Sequence, residues 1–178
     1  VVALNAVTGE MLWMHSEHEG MRSAASPRAL SGRGLSYWTD GTKKRILYVT
    51  TGYRLVALDA ATGEYDREFG TNGIVDLKQD FDQELKGGLE LGEVGLHAAP
   101  AISGNTIIIG AAFREGFTPR THNNTKGYVR AYDVRTGKRL WTFHTIPQKG
   151  EFGYDTWYNN SADINGNAGV WTQVSIDP

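Results

Sequence analysis

The sequence predicts an all-β fold built from repeated antiparallel units. One pattern recurs in three copies: an apolar run, an Asp or Asn, a Thr-Gly pair, and a second run that begins polar. The copies occupy residues 1–14, 55–70 and 129–145. The 22 glycines suit a chain with many turns, and apolar residues at helical spacing are scarce. A repeat of this kind predicts stacked units that bury one another's apolar faces.

Each copy predicts a two-stranded hairpin closed by a tight turn. The Asp or Asn is expected to accept hydrogen bonds from backbone N–H groups within the turn, and the Gly is expected to adopt a positive φ. These pairs are Asn5 with Gly9, Asp59 with Gly63, and Asp133 with Gly137. Trp13 and Trp141 follow their glycines at the same spacing and are expected to wedge against a neighbouring sheet. Arg67 holds that place in the middle copy, so the contact there must be made differently.

A hairpin cannot bury its own apolar face, and residues 46–50, 101–103 and 106–110 supply further strands. Four strands in a unit, with units stacked face to face, describe a blade of a β-propeller. The copies are spaced more widely than a typical blade of ~40–50 residues, which places insertions at 71–96 and 114–126. The sequence therefore predicts a partial β-propeller of about three four-stranded antiparallel blades.

We predict a single partial propeller domain over 1–178. Residues 1–16 would end one blade, 22–70 and 97–145 would form the second and third, and 170–178 would start a further blade. A closed propeller needs roughly four to eight blades, so we expect the chain to be part of a larger propeller.

Composition excludes several classes of protein. The net charge is −2, from 18 basic and 20 acidic residues, and no basic patch follows an element, which argues against nucleic-acid binding. The absence of cysteine excludes disulfides and thiolate metal sites. No apolar run reaches about 18 residues, so no membrane-spanning helix is expected.

Two residues near strand starts are candidates for ligand contacts. Arg33 precedes a Gly and the aromatic pair Tyr37-Trp38, where its planar guanidinium could clamp a carboxylate or, alternatively, stack on Trp38 at the rim. His97 could contact a cofactor or substrate at the mouth of a strand, or serve as a structural hydrogen-bonding residue.

Two further candidates lie in the later loops. Glu115 follows the strand that ends at Gly110 and could supply an oxygen ligand for Ca²⁺, or could simply be solvated. Trp171 follows the Gly-rich stretch 165–169 and could be a stacking floor for a flat ligand, or a core or inter-blade residue.

The acidic stretch after residue 75 predicts a short surface helix over 76–86, because Leu77, Phe81 and Leu85 fall at helical spacing. The acidic residues Asp80, Asp82 and Glu84 could form a cation site. A solvated helix face is the alternative, since residues two apart do not converge on one face of a helix.

Several segments together resemble the pyrroloquinoline quinone (PQQ) dependent dehydrogenases, eight-bladed propellers that oxidise alcohols or sugars. The Thr-Gly-Lys/Glu-x-x-Trp repeat resembles the tryptophan docking motif of that family. Other segments resemble the family's in the same order, and they are RGLSYW at 33–38, RLVALDAATG at 54–63, FGTNGIVDL at 69–77, VRAYDVRTGKRLWTFHTIP at 129–147 and GEFGYDTW at 150–157.

The resemblance implies a role for each candidate. Arg33 matches the arginine that binds the acidic quinone, and Trp171 matches the tryptophan on which the PQQ ring lies. His97 falls where the alcohol enzymes place a threonine that contacts the cofactor, and Glu115 where they place a glutamate that ligates Ca²⁺.

The sequence departs from the family pattern at three places. Pro27 and Arg28 stand where the alcohol enzymes have a vicinal cysteine pair, and Ala29 where membrane glucose dehydrogenases have a histidine. Gly169 replaces a threonine expected before the stacking tryptophan. These departures leave the substrate class open between alcohols and sugars.

The resemblance implies a fragment of a periplasmic PQQ-dependent dehydrogenase that uses PQQ and Ca²⁺ and passes electrons to a quinone or a cytochrome. The catalytic aspartate and the second calcium ligand are expected beyond this chain, so no catalytic residue is assigned and the chain alone is expected to be inactive. Two alternatives stay open. One is a non-enzymatic propeller that scaffolds outer-membrane protein assembly, and the other is a sugar-binding propeller without a metal.

Overall fold

The computed structural model describes residues 1–27, 29, 34–113 and 122–177, which form short antiparallel sheets in chain order. The elements up to the middle of the chain are β1 (Val2–Leu4), β2 (Met11–Met14), α1 (Gly20–Ala24), β3 (Ser36–Thr39), β4 (Lys44–Val49), β5 (Arg54–Asp59), β6 (Ile74–Asp76) and α2 (Gly88–Leu91). The later elements are β7 (Val94–Gly95), β8 (Ala101–Ser103), β9 (Thr106–Ile109), β10 (Ala112–Phe113), β11 (Tyr128–Asp133), β12 (Arg139–His144), 3-10 turns at Tyr154–Thr156 and Tyr158–Asn160, and α3 (Ser161–Ile164).

Two four-stranded antiparallel sheets form the body of the structure. The second sheet has the spatial order β3-β4-β5-β6, and the third has β8-β9-β11-β12. The first hairpin, β1 with β2, precedes them, and β7 pairs with β10 beside the third sheet. One apolar core joins the two large sheets, since Leu47 and Leu55 of the second belong to the same buried cluster as Ile107 and Ile109 of the third. The antiparallel four-stranded units predicted from the sequence are therefore present.

The Thr-Gly turns have the predicted geometry in all three copies. The side-chain oxygen of the Asp or Asn accepts two backbone N–H groups, for instance from Arg135 at 3.1 Å and Thr136 at 2.8 Å onto Asp133. The glycine of each turn has φ +74°, a left-handed conformation that disfavours any residue with a Cβ. Gly137 closes its turn by donating its N–H to the carbonyl of Asp133 at 2.8 Å.

Trp13 docks the first hairpin onto the second sheet, as predicted. Its indole N–H donates to the carbonyl of Ala60 at 3.2 Å, and its ring covers Gly63 so closely that a Cβ there would lie 2.4 Å from the indole. The ring therefore packs directly on the backbone of the next Thr-Gly turn.

No tryptophan stands at the Arg67 position, and the contact there is made differently, as predicted. Arg67 is exposed, and the Gly137 turn is met instead by Gly70, whose N–H donates to the carbonyl of Thr136 at 2.9 Å. The buried side chain of Arg45 adds a second link, because it bonds the Asp66 carboxylate at 2.6 Å and the carbonyl of Arg135 at 2.7 Å.

The helix predicted over 76–86 was wrong. Asp76 ends β6, and turns follow over 77–80 with no helix before α2. The buried Arg130 explains the difference. Its guanidinium donates hydrogen bonds to the carbonyls of Leu77 at 2.9 Å and Asp80 at 3.0 Å, and a helix would need these carbonyls for its own hydrogen bonds. Phe81 packs its ring edgewise on Tyr128 at 4.9 Å between centroids, so its burial also depends on the turn.

No helix within the described residues combines the length and the apolar character that crossing a bilayer requires.

Gly9 and Gly63 make a matched pair for testing the docking contact. Both have φ +74°, but a Cβ at Gly9 would meet nothing within 4 Å. Gly9→Ala should therefore lower the free energy of unfolding by about 1–2 kcal/mol for the backbone conformation alone. Gly63→Ala should cost a further ~1–3 kcal/mol because the methyl group displaces Trp13. Urea titration of both variants checks this difference, and equal losses would show that the contact with Trp13 adds nothing.

Candidate functional site

One edge of the stacked sheets gathers the segments that carry the predicted site residues. Ser36 pairs with Leu47 in the second sheet, and Ala101 pairs with Ile108 in the third. The first strand of each sheet therefore begins where the second strand ends, because the strands are antiparallel. We call this end of the two sheets, where their first strands begin, the site edge. The Thr-Gly turns lie at the other end of the strands.

The structure places two of the four predicted site residues. His97 is half-buried and lies four residues before β8, at the site edge. Trp171 is 55% exposed. Residues 170–177 form no strand with the described residues, and the Val170 carbonyl lies over Gly110 at the site edge. Arg33 and Glu115 lie outside the described residues.

The residue that follows Arg33 contacts the segment of His97. Gly34 sits so close to Ala99 that a Cβ on Gly34 would lie 2.7 Å from the Cβ of Ala99. The hydroxyl of Ser36 donates to the carbonyl of Pro100. The segments that lead from Arg33 and His97 into their strands therefore lie side by side.

The residues that precede Glu115 contact the segment of Trp171. Phe113 pairs with Val94 in the β7–β10 ladder, and its ring lies 3.0 Å from the position of a Cβ on Gly169. The carbonyl oxygen of Val170 lies 1.9 Å from the position of a Cβ on Gly110, a contact that only glycine permits. Chain neighbours of the four predicted residues therefore lie against one another in two pairs, those of Arg33 with those of His97 and those of Glu115 with those of Trp171.

A strap formed by residues 165–170 leads to Trp171. Gly166 donates its N–H to the carbonyl of His122 at 2.8 Å, and Asn167 donates to that of Thr125 at 2.8 Å. Asn167 also accepts the N–H of Gly127 at 2.6 Å. Asn167 and Ala168 have φ of +63° and +54°, a left-handed conformation that costs roughly 1–2 kcal/mol for a residue with a Cβ.

Two side chains missed by the sequence analysis hold the segments next to this strap. Gln83 presents its amide to the backbone of Lys126 like a neighbouring strand, because Nε2 donates to the Lys126 carbonyl at 2.8 Å and Oε1 accepts the Lys126 N–H at 2.8 Å. The Lys126 ammonium donates to the carbonyl of Ala162. The glycines of the stretch NGNAG were the signal available in the sequence, since close backbone approach needs glycine.

A buried cluster of Arg130, Tyr53 and Tyr128 packs behind the site edge. The Arg130 guanidinium lies 4.7 Å from the ring centre of Tyr128 and 5.7 Å from that of Tyr53. Tyr53 in turn donates its hydroxyl to the carbonyl of Gly110 at 2.8 Å. Burial and the neighbouring guanidinium act in opposite directions on Tyr53, and burial prevails, so its pKa is raised and the hydroxyl stays a donor.

A cavity of about 390 Å³ borders Gly34 on the side of the first hairpin. Its lining includes the carboxylates of Glu17 and Glu19. Burial opposes the ionisation of Glu17, but hydrogen bonds from His15, Tyr65 and Tyr48 outweigh it and lower its pKa. A cavity with this acidic lining does not suit an acidic ligand, and we do not assign the site to it.

A family comparison decides between the propeller classes. The PQQ family model of the glucose/ethanol/alcohol dehydrogenase β-propeller domain matches residues 1–178. The chain belongs to this family. The fold class predicted from the sequence is thereby confirmed, and so is the resemblance to the quinoprotein dehydrogenases.

Known members of the PQQ family are similar over most of this chain. The glycerol dehydrogenase large subunit of Gluconobacter oxydans is 27% identical over 150 residues, which cover 80% of this chain and 19% of that protein. The quinohemoprotein alcohol dehydrogenase ADH-IIG of Pseudomonas putida is 26% identical over 189 residues, which cover 100% of this chain and 23% of that protein. The chain thus spans about a fifth of the length of these relatives.

Solved structures of the PQQ family share the fold. The quinohemoprotein alcohol dehydrogenase ADHIIG from Pseudomonas putida HK5 aligns with a TM-score of 0.71 at 23% identity, over 99% of this chain and 24% of that chain. The quinohemoprotein alcohol dehydrogenase of Comamonas testosteroni aligns with a TM-score of 0.70 at 20% identity, over 99% of this chain and 24% of that chain.

In this PQQ-family propeller, Lys78 is a buried cation at the end of β6. Its ammonium has no hydrogen-bond partner among the described residues, and Arg22 lies nearby, paired with Asp76 through two nitrogens. Burial, and secondarily the Arg22 charge, lower the pKa of Lys78 to about 8. The protonated side chain therefore destabilises the folded state.

Lys78→Met should raise the free energy of unfolding by roughly 1–3 kcal/mol at pH 7, because it replaces an unpaired buried charge with an apolar side chain of similar size. Below pH 8 the lysine is protonated in both states and the gain is full. The gain should shrink as the pH rises from about 8 towards the ordinary lysine pKa, since the folded state releases its proton first. Urea titrations at pH 7 and pH 10 measure this, with the exposed Lys138→Met as control. A loss of stability at pH 7 would contradict the assignment.

His144 ends β12 and links two loops at the site edge. Its Nδ1 lies 2.7 Å from the Glu151 carboxylate and its Nε2 lies 2.8 Å from that of Asp82. Burial disfavours the charged ring, but the hydrogen bonds to Asp82 and Glu151 outweigh it and raise the pKa of His144. Only the imidazolium can donate to both carboxylates at once.

His144→Phe should lower the free energy of unfolding by about 1 kcal/mol at pH 6, because two partly exposed charge-assisted hydrogen bonds are lost. The folded pKa is raised, so this stabilisation is complete below the ordinary histidine pKa and disappears as the pH rises through the folded value. The difference between wild type and variant should therefore be small at pH 9. The exposed His18→Phe serves as the control, and a pH-independent difference would overturn the ionic account.

Proposed function

We propose that this chain forms part of the cofactor-binding side of a PQQ-dependent dehydrogenase that oxidises a hydroxyl group of an alcohol or a sugar. One observation supports it most strongly: segments distant in sequence contact in two pairs at the site edge, the one after Arg33 with that of His97 and the one before Glu115 with that of Trp171. A propeller that served only as a scaffold would have no need to assemble these segments. Membership in the PQQ family supports the same reading.

The chemistry of Trp171, His97 and Arg33 suits a flat, acidic quinone. Trp171 has over half of its surface accessible, so an indole face is available for stacking. His97 is half-buried beside the Gly34–Ala99 contact, where its ring can reach a ligand held at the edge. The positively charged fork of Arg33 is chemically suited to carboxylates.

Each residue of the chain has a distinct part in this proposal. Arg33 pairs with a cofactor carboxylate and fixes its charged end, Trp171 fixes the plane of the ring, and His97 supplies a hydrogen bond. When bound, PQQ supplies a two-electron acceptor for the oxidation of the hydroxyl-bearing carbon. None of these four residues is proposed to take the substrate proton.

Glu115 is proposed as a ligand of Ca²⁺. A carboxylate is the kind of oxygen donor that this ion takes, but Ca²⁺ needs about six to eight oxygens. Within the described part of the chain, no group of three His, Cys, Asp or Glu side chains could hold a metal ion. Glu115 would supply one of these oxygens.

We also propose the periplasm as the compartment, an alcohol or sugar as the substrate, and a quinone or cytochrome as the electron acceptor. Their support is the family membership and the names of the relatives, which include dehydrogenases for glycerol and alcohol. The departures at Pro27, Ala29 and Gly169 favour neither an alcohol nor a sugar.

Trp171→Ala should weaken the binding of PQQ about five- to hundredfold, because a stacking contact with one aromatic ring is worth ~1–3 kcal/mol. The protein that contains this chain would be stripped of its cofactor and titrated with PQQ in the presence of Ca²⁺, following the absorbance of the quinone. Trp141→Ala on β12 is the matched control, since Trp141 belongs to the repeat motif and not to the site edge. No affinity of the unmodified protein for PQQ would refute the proposed function, and unchanged affinity in Trp171→Ala would refute the stacking role.

A further inference from the structure

The strap before Trp171 is held in place by close contacts of its backbone with Gly110 and Gly127. A Cβ on Gly127 would lie 2.4 Å from the Ala168 carbonyl oxygen, and a Cβ on Gly110 would lie 1.9 Å from that of Val170. Gly127 also donates its N–H to Asn167 at 2.6 Å. The strap therefore fits between the end of β9 and the start of β11 in one position.

The strap also carries backbone strain that its local contacts do not explain. Ala168 is exposed and has φ +54°, so its methyl group gains nothing from burial that would offset the left-handed conformation. Strained residues that are held in place by their surroundings are concentrated at binding sites. The strain here lies three residues before Trp171.

Gln83 holds, from a different part of the chain, the 125–127 segment against which the strap lies. Its amide bonds both backbone groups of Lys126, and Lys126 is bridged to Asn167 in a parallel pairing. Gln83 thus acts as a short surrogate strand, and removing it would leave the 125–127 segment attached on one side only.

From these contacts we infer that Gln83 and Ala168 are positioning residues for Trp171. Gln83 fixes the position of Lys126, which pairs with the strap. The left-handed conformation of Ala168 sets the direction of the chain, so that one face of the Trp171 indole is presented at the site edge. This inference rests on the proposed function, in which Trp171 stacks on PQQ. It predicts that binding of the cofactor and stability of the fold can be separated at these positions.

The test compares Ala168→Gly with Asn72→Gly, a second exposed non-glycine residue with a left-handed φ of +54°. Both substitutions relieve strain, so thermal stability should stay the same or rise in each. Ala168→Gly should weaken PQQ binding about three- to tenfold, because a less ordered strap must be ordered on binding. It should also speed amide hydrogen exchange over 168–171. Asn72→Gly should leave affinity and exchange at 168–171 unchanged.

A second pair of variants tests the anchor. Gln83→Met keeps the size of the side chain and removes both hydrogen bonds, and the exposed Gln79→Met is its control. Gln83→Met should accelerate exchange of the Asn167 and Gly127 amides and weaken PQQ binding, whereas Gln79→Met should do neither. All measurements use the cofactor-free protein that contains this chain, with PQQ and Ca²⁺ added as the probe.

Trp171→Ala, measured in parallel, distinguishes a failure of the positioning inference from a failure of the proposed stacking role. If it weakens binding while Ala168→Gly and Gln83→Met bind PQQ like the unmodified protein, the positioning inference is wrong and the proposed function stands. If Trp171→Ala itself binds normally, the stacking role is lost and the positioning inference is lost with it. Weaker binding by Ala168→Gly without lower stability would support the inference even if Gln83→Met failed to fold.

Discussion

The contacts of the second and third Thr-Gly turns with the unit before them are the constraint on which the rest of the structure depends. A short sheet cannot bury its own apolar face, so each unit must press against its neighbour. Trp13 on Gly63 and Gly70 on Thr136 make that contact at equivalent turns with different chemistry. Because the turns are fixed at one edge, the opposite edges of the sheets come together, and the site edge is the result.

The site edge carries little regular structure, so its order comes from side chains and close backbone contacts. Arg130 takes the carbonyls of the 77–80 turns, Tyr53 holds Gly110, and Gln83 holds Lys126. These contacts are buried or half-buried, where an unpaired polar group would be costly. They fix the loops relative to the strands, as the proposed recognition of a rigid, flat cofactor would require.

The repeat made much of this fold predictable. The Asp-to-Gly turns, the docking of Trp13 and the absence of a tryptophan at Arg67 follow from local chemistry that each copy contains within itself. The helix expected over 76–86 was not formed, because its carbonyls bond Arg130, a residue far along the chain. Gln83 and Lys126 were missed for the same reason: their roles depend on a pairing that no local pattern specifies. The residue types of Arg33 and Trp171 left each of them two interpretations, and only the family resemblance favoured the cofactor-binding one.

We propose that the site edge of this PQQ-family propeller holds the quinone itself. A crystal structure of the protein that contains this chain, soaked with PQQ and Ca²⁺, tests it most directly. The account predicts the quinone ring stacked on the indole of Trp171 at about 3.5–4.0 Å, with Arg33 on a carboxylate of the ligand. A quinone bound away from the Gly34–Ala99 and Gly110–Val170 contacts, or an indole of Trp171 turned away from it, would contradict the account.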